Sequence, residues 1–138
     1  GSIWEERLED IKSIERYLAR NGVAIIKFFL HLSRDEQKRR FLDRLDRPEK
    51  NWKFSSSDLK ERQYWKEYMK AYEAAIGATA TKHAPWYVVP ADNKWFTRLV
   101  VAGAIVERLE QLKLVYPAVP ATMKAELAEA RKILTSKR

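Results

Sequence analysis

At 138 residues the chain is long enough for roughly one domain, and 46% hydrophobic with 33% charged side chains is a composition that folds. It has no cysteine, which excludes a disulfide framework, a thiolate nucleophile and a cysteine zinc site, and no uncharged stretch approaches the roughly 18 residues of a membrane helix. The formal net charge of +8 points to an anionic partner without choosing among nucleic acid, nucleotide, phosphate chain and acidic membrane, and a merely solubilising surface would give the same balance.

Gly1-Ser2 reads as an expression scar, so the natural sequence is expected to begin near Ile3. The acidic run Glu5, Glu6, Glu9 and Asp10 is unlike a signal peptide. Trp4, Leu8, Ile11, Ile14 and Leu18 follow the helical period and predict an amphipathic helix over 3–20, stopped by Asn21-Gly22. The nearly continuous apolar run Val23–Leu30 predicts a strand covered on both faces, with the Lys27 stem along the sheet and its ammonium in water.

Ser33 and Glu36 form the S-x-x-E pattern of a capping box, predicting a helix over 34–46 whose apolar side is Phe41, Leu42 and Leu45; Pro48 ends it. Residues 48–57 lack periodicity and read as a loop. Asp58 and Glu61 open a helix running to Thr79, with Trp65, Tyr68, Met69, Tyr72, Ala75 and Ile76 inward. Trp86–Pro90 is a second short strand. Asp92 is expected to cap a helix to Lys113 with Trp95, Leu99, Ala102, Val106 and Leu109 inward. Pro117 and Pro120 break the chain before a last helix over 121–135. Strands alternating with helices imply a helix-rich α/β fold with parallel strands and right-handed crossovers, although two strands are too few for a complete sheet of that kind.

No G-x-x-x-x-G-K-[ST] is present, since Gly1, Gly22, Gly77 and Gly103 are scattered; nor is there an H-E-x-x-H, and His31 and His83 lie far apart. No complete active site is legible, and no catalytic or metal-ligating residue can be assigned. The main positive feature is the basic stretch from Arg34 to Lys53. Arg40, Arg44 and Arg47 fall at i, i+4, i+7 on one helical face, where guanidinium forks can grip a polyanion. An ordinary solvated face, partly neutralised by Asp43, Asp46 and Glu49, explains the same spacing. His31 at the end of the first strand reads as a packing residue. Trp52 and Phe54 around Lys53 suit either base stacking or, preferably, pinning the loop.

Five strings in collinear order, I-K-F-F-L-H-L-S-R-D-E-Q-K-R-R-F (26–41), R-P-E-K-N-W-K-F-S (47–55), D-L-K-E-R (58–62), A-P-W-Y-V-V-P-A-D-N-K-W (84–95) and R-L-V-V-A (98–102), make the sequence resemble the C-terminal, lid-bearing half of the polyphosphate kinase 2 family, over about residues 3–117. The resemblance implies a P-loop kinase fold similar to thymidylate kinase. It implies phosphoryl transfer between inorganic polyphosphate and a nucleoside mono- or diphosphate, ATP among the nucleotides, with magnesium as cofactor of the parent enzyme. It also implies a cationic lid at about 36–62, with Arg39, Arg40, Arg44, Arg47, Lys50 and Lys53 as candidate phosphate contacts, and a loop at Pro90–Lys94 near the nucleotide end of the sheet. Residues 118–138 would be a C-terminal helical extension. The sequence departs from the family in lacking the half that carries the phosphate loop, so this chain alone is expected to be inactive and to bind no metal.

Two other readings stand beside this one: a self-standing basic module that binds nucleic acid, and an oligomerisation module without catalysis. The first of these explains the charge but not the two strands. The bare edge of the first strand would be hidden by a dimer joined through it, by exchange of helices between chains or by a rearranged helical packing; a cytoplasmic homo-oligomer, with no membrane and no specific nucleic acid partner, is the expectation.

Overall fold

The computed structural model describes residues 2–136. In chain order it has α1 (Ile3–Arg20), β1 (Lys27–His31), α2 (Arg34–Asp46), a 3-10 segment (Pro48–Lys53), α3 (Ser56–Glu61), a 3-10 turn (Arg62–Tyr64), α4 (Trp65–Thr79), β2 (Trp86–Pro90), α5 (Lys94–Gln111) and α6 (Ala121–Thr135). Tertiary contacts divide the chain into two compact units, Gly1–Ile105 and Val106–Arg138, with the boundary inside α5.

In the first unit, Ser2 and Glu5 close a full capping box at the start of α1. The helix ends in a Schellman motif: Val23 N–H bonds to Leu18 O at 3.1 Å and Gly22 N–H to Ala19 O at 3.1 Å, with Gly22 in the left-handed region at φ 83°. β1 and β2 then pair in parallel, Lys27 opposite Trp86 through His31 opposite Pro90, with α2–α4 as the crossover. The ladder is extended by Lys27 N–H to Pro85 O (3.0 Å) and Ala91 N–H to His31 O (2.9 Å).

The parallel α/β arrangement is as the sequence implies, but several boundaries move. The strand expected over 23–30 is paired only from Lys27 to His31, because its partner begins at Trp86 and the preceding Pro85 has no N–H to give. The stretch 48–57, expected as a loop, holds the 3-10 segment, opened by Pro48 at its first turn. The helix expected from 58 to 79 starts earlier, at Ser56, and is interrupted by the turn Arg62–Tyr64, where the Arg62 guanidinium reaches across to Arg34 O (2.8 Å) and Gln37 Oε1 (2.6 Å). Asp92 does not cap α5. Its carboxylate accepts the Ser33 N–H at 2.7 Å, and the first helical closure is Thr97 N–H to Asn93 O. α5 also stops at Gln111 rather than Lys113, which has a positive φ of 48°.

Two helix faces are also corrected. On α1 the residue turned fully inward is Glu15, flanked by half-buried Leu8, Lys12 and Leu18, while Trp4, Ile11 and Ile14 are exposed. Glu15 is drawn in by Lys27, whose ammonium is not in water: it bonds to both Glu15 oxygens (2.8 and 2.7 Å) and to Thr79 O (2.8 Å), and lies 5.1 Å from the Trp86 ring centre. On α5 the buried positions are Thr97 and Ala104, and Trp95, Leu99, Ala102, Val106 and Leu109 stay exposed. This helix is apolar nearly all round, and Thr97 decides its rotation by donating from Oγ1 to Pro90 O at the end of β2 (2.8 Å).

The fully buried hydrophobic core among the described residues is small: Ala84, Val89, Ala91 and Ala104. An open apolar groove of about 510 Å³ runs between Phe29 and Val88 of the sheet and Met69, Tyr72 and Ile76 of α4. In the second unit, α6 forms where the sequence places it, beginning after Pro120, and its side chains are exposed.

Candidate functional site

The C-terminal edge of a parallel sheet is where open α/β folds gather their ligands. Here His31 and Pro90 end the two strands, and α2 and α5 both start from that edge. α2 is launched by Ser33, whose hydroxyl accepts the Glu36 N–H at 3.1 Å. The second half of the expected capping box is not made, because the Glu36 carboxylate turns forward to stronger, cationic donors. Arg39 Nε and Nη2 each reach it at 2.6 Å, and Arg40 Nε reaches it at 2.8 Å. These bonds, Arg39's first and then Arg40's, lower the Glu36 pKa to about 2, and Glu36 raises that of Arg39 in return.

Two turns on, Asp43 accepts from Lys50 Nζ at 2.6 Å and from Arg47 Nε at 2.8 Å. Its carboxyl is held below the ordinary carboxylate range, chiefly by the Lys50 bond and further by Arg47. Arg44 lies 5.5 Å from the Phe41 ring centre and only loosely near Asp58, at 3.8 Å. Lys53 rests over the Trp52 ring at 4.9 Å.

The six residues singled out in the sequence are thus gathered along α2 and the 3-10 segment, but not as one free face. Arg39 and Arg47 point outward, with side chains 68% and 56% exposed, whereas Arg40 at 27% is turned back to the sheet edge, where its Nη2 donates to Ala91 O at 2.8 Å. Three carboxylates, Glu36, Asp43 and Asp58, serve five of the cations, so the strip keeps an excess of positive charge. Asp43 and Asp58 are about one-third exposed, and pairs of that kind are worth only about 0–1 kcal/mol each, so an incoming phosphate can displace them at small cost, whereas the Glu36 carboxylate is only 11% exposed.

Trp52 does not pin the loop: it is 78% exposed, and only Phe54 is half-buried. The residue that does hold it was not singled out. Asn51 Nδ2 donates to Arg44 O (2.7 Å) and Leu45 O (3.0 Å), capping the last carbonyls of α2. An asparagine a few residues past a helix end is the only sequence signal for it. His31 stacks on Phe29 at 5.8 Å, a packing arrangement. Beside the strip, Phe41, Trp65, Tyr68 and Met69 line an open cleft of about 220 Å³, closed on one side by the hydrogen bond from the Tyr68 hydroxyl to Glu61.

No glycine-rich phosphate loop accompanies these cations. Among the described residues no group of three or more His, Asp or Glu is placed to hold a metal ion, and no helix is long and apolar enough to cross a membrane.

A family model described as Polyphosphate kinase 2 matches residues 2–115. The chain belongs to the polyphosphate kinase 2 family. The ADP-polyphosphate phosphotransferase of Rhodopseudomonas palustris is 50% identical over 133 residues, which is 96% of this chain and 46% of that one. A protein of Leptolyngbya boryana, described as uncharacterized and lying in the chlN 3' region, is 53% identical over 134 residues, 97% of this chain and 98% of that protein. Among solved structures, polyphosphate kinase 2 from Arthrobacter aurescens TC1 superposes with a TM-score of 0.84 at 42% identity, over 93% of this chain and 45% of that one. The chain therefore spans less than half the length of the relatives whose names state a phosphotransferase activity, while matching the Leptolyngbya protein almost end to end. The helix-rich α/β arrangement with its parallel strands is that of polyphosphate kinase 2 structures, which have a P-loop kinase fold.

Proposed function

We propose that this chain supplies the cationic, lid-bearing part of a polyphosphate-dependent nucleotide kinase, closing over the phosphates while a phosphate loop from elsewhere positions the transferred group. The observation that supports this most directly is the strip along α2 and the 3-10 segment, in which exposed cations rest on exchangeable carboxylates inside the region matching the family model. Phosphoryl transfer asks little covalent chemistry of the protein. Positioning and charge neutralisation dominate, and a lid contributes both while excluding water. In this reading Arg39, Arg44, Arg47, Lys50 and Lys53 take phosphate oxygens. Magnesium, when bound, would neutralise phosphate charge.

The reading extends to self-association. Each strand of the two-stranded sheet has one unpaired edge, and the apolar groove beside it is uncovered, so we expect a homo-oligomer in a cytoplasmic setting rather than a free monomer. Sedimentation as a stable monomer at micromolar concentration would count against that part alone.

The central test is a chimera in which these residues replace the matching part of the Rhodopseudomonas phosphotransferase. Phosphate transfer from polyphosphate to a nucleotide should survive in the chimera and should fall sharply on Arg44→Glu, while the variant's stability stays within about 0.5 kcal/mol. Unchanged kcat and KM for both substrates in the Arg44 variant would remove the lid role. Phosphate transfer by the purified chain alone would overturn the dependence on a phosphate loop supplied from elsewhere.

A further inference from the structure

We propose that Arg40 and Asp92 are positioning residues: together they clamp the first turn of α2 to the loop after β2 and so set the direction in which the basic strip meets a phosphate chain, Arg40 itself making no phosphate contact. The proposal rests on the lid reading for the strip, but the clamp is defined by its own geometry.

Five hydrogen bonds form a closed circuit. Ser33 N–H donates to Asp92 Oδ1 at 2.7 Å, and Arg40 Nη2 donates to Ala91 O at 2.8 Å and to Asp92 O at 3.3 Å. Arg40 Nε donates to Glu36 Oε1 at 2.8 Å, and Glu36 N–H returns to Ser33 Oγ at 3.1 Å. Three of these bonds join segments more than fifty residues apart, so they are tertiary rather than helical contacts.

What the circuit grips is rigid. Ala91 is 6% exposed, and its N–H extends the parallel ladder to His31 O, so its carbonyl is fixed by the sheet itself. What lies further along the helix is more exposed. Further along the same helix, Arg44 meets Asp58 only at 3.8 Å, and Leu42 and Leu45 are 48% and 47% exposed. Arg62 also touches the start of α2, at Arg34 O and Gln37 Oε1, but fastens it to the turn before α4 and not to the strands. The Arg40–Asp92 circuit is therefore the direct tie between α2 and the end of the sheet.

Arg40 is separated from its neighbours by how its donors are spent. Arg47 directs its Nε to the one-third exposed Asp43, which a phosphate can replace, and Arg39, 68% exposed, bonds only to Glu36. Arg40 directs Nη2 to backbone carbonyls, which a phosphate cannot replace, because the carbonyls would be left without donors in a partly buried site.

The test uses the full chain with two readouts: amide hydrogen exchange, and binding of inorganic polyphosphate measured across a salt series. Asp92→Ala and Arg40→Ala should each speed exchange of the Ser33 amide about tenfold and weaken protection along α2, leaving α1 unaffected. Asp92→Asn, which keeps an acceptor oxygen, should restore most of the protection and guards against a variant that merely misfolds. In binding, Arg47→Ala should reduce the slope of log K against log salt by about 0.7, the loss of one ionic contact, whereas Arg40→Ala should lower affinity with the slope unchanged. Exchange at Ser33 unaltered in both alanine variants would overturn the clamp. A slope change in Arg40→Ala equal to that of Arg47→Ala would make Arg40 a phosphate contact and overturn its assignment. If the unaltered chain binds no polyphosphate, the lid reading is decided by the chimera and the clamp by the exchange readout.

Discussion

Two regions of the first unit are built from the same ingredients to opposite effect. Near the start of the strands, Lys27 and Glu15 are 13% and 10% exposed, and the ammonium meets two carboxylate oxygens, the Thr79 carbonyl and the Trp86 ring. Beyond the other end, Arg39, Arg47 and Lys50 make bonds just as short, but from side chains that are about one-third to two-thirds exposed. The distances are alike and the surroundings are not. A buried pair has no water to replace a lost partner, so it ties α1, β1 and α4 together permanently. An exposed pair can trade its partner for water or phosphate, so it holds charge in place without committing it.

The comparison is broken most directly at the buried pair. Glu15→Ala should leave the Lys27 ammonium with neither its counter-charge nor solvent, and cost about 3–5 kcal/mol in urea unfolding. The double replacement Glu15→Leu with Lys27→Met should recover most of that loss, because no charge is then stranded. A single Glu15→Ala costing under 1 kcal/mol would mean that water reaches the pair and that the two regions do not differ.

The exposed region should respond in the opposite sense. Asp43→Asn frees Lys50 and Arg47 from their shared carboxylate and should tighten binding of inorganic polyphosphate about two- to fivefold, with unfolding little changed. Weaker binding would mean that Asp43 orients these cations rather than competing for them.

The smallest effect is in pH. Glu36 has its pKa lowered from 4.5 to about 2 by Arg39 and Arg40, so its ionisation favours the folded form at and above the ordinary carboxylate range, and that contribution is lost as pH falls through about 2. The Glu36 carboxyl signal in an NMR titration should therefore stay that of the anion at pH 3.5. Protonation at its ordinary value would show that the Arg39–Glu36 fork is not held in solution.

Much of the fold was legible. The apolar run before Ser33, the short W-Y-V-V-P strand and the helices between them gave a parallel α/β unit, because strand and helix periods are local properties of the chain. The basic strip was equally legible, since Arg40, Arg44 and Arg47 share a face in any helix. The inward faces of α1 and α5 were not. Both helices carry apolar residues on more than one side, and their rotation was settled by single polar anchors, Glu15 on Lys27 and Thr97 on Pro90 O.

By itself, then, the sequence determined the order of elements, the parallel class, the missing phosphate loop and the place of the cations, all of which follow from residue type and short-range spacing. Only the tertiary structure decided which cations are committed. Arg40 and Arg47 are indistinguishable by spacing, but one lies beside the carbonyl of Ala91 and the other beside Asp43. Likewise Asp92 looked like a helix cap, yet its carboxylate went to Ser33. The physical reason is that a hydrogen-bond donor chooses among acceptors brought near by folding. For Arg40 the chosen acceptor, and for Asp92 the donor that finds its carboxylate, lie more than fifty residues away, beyond the reach of any local pattern.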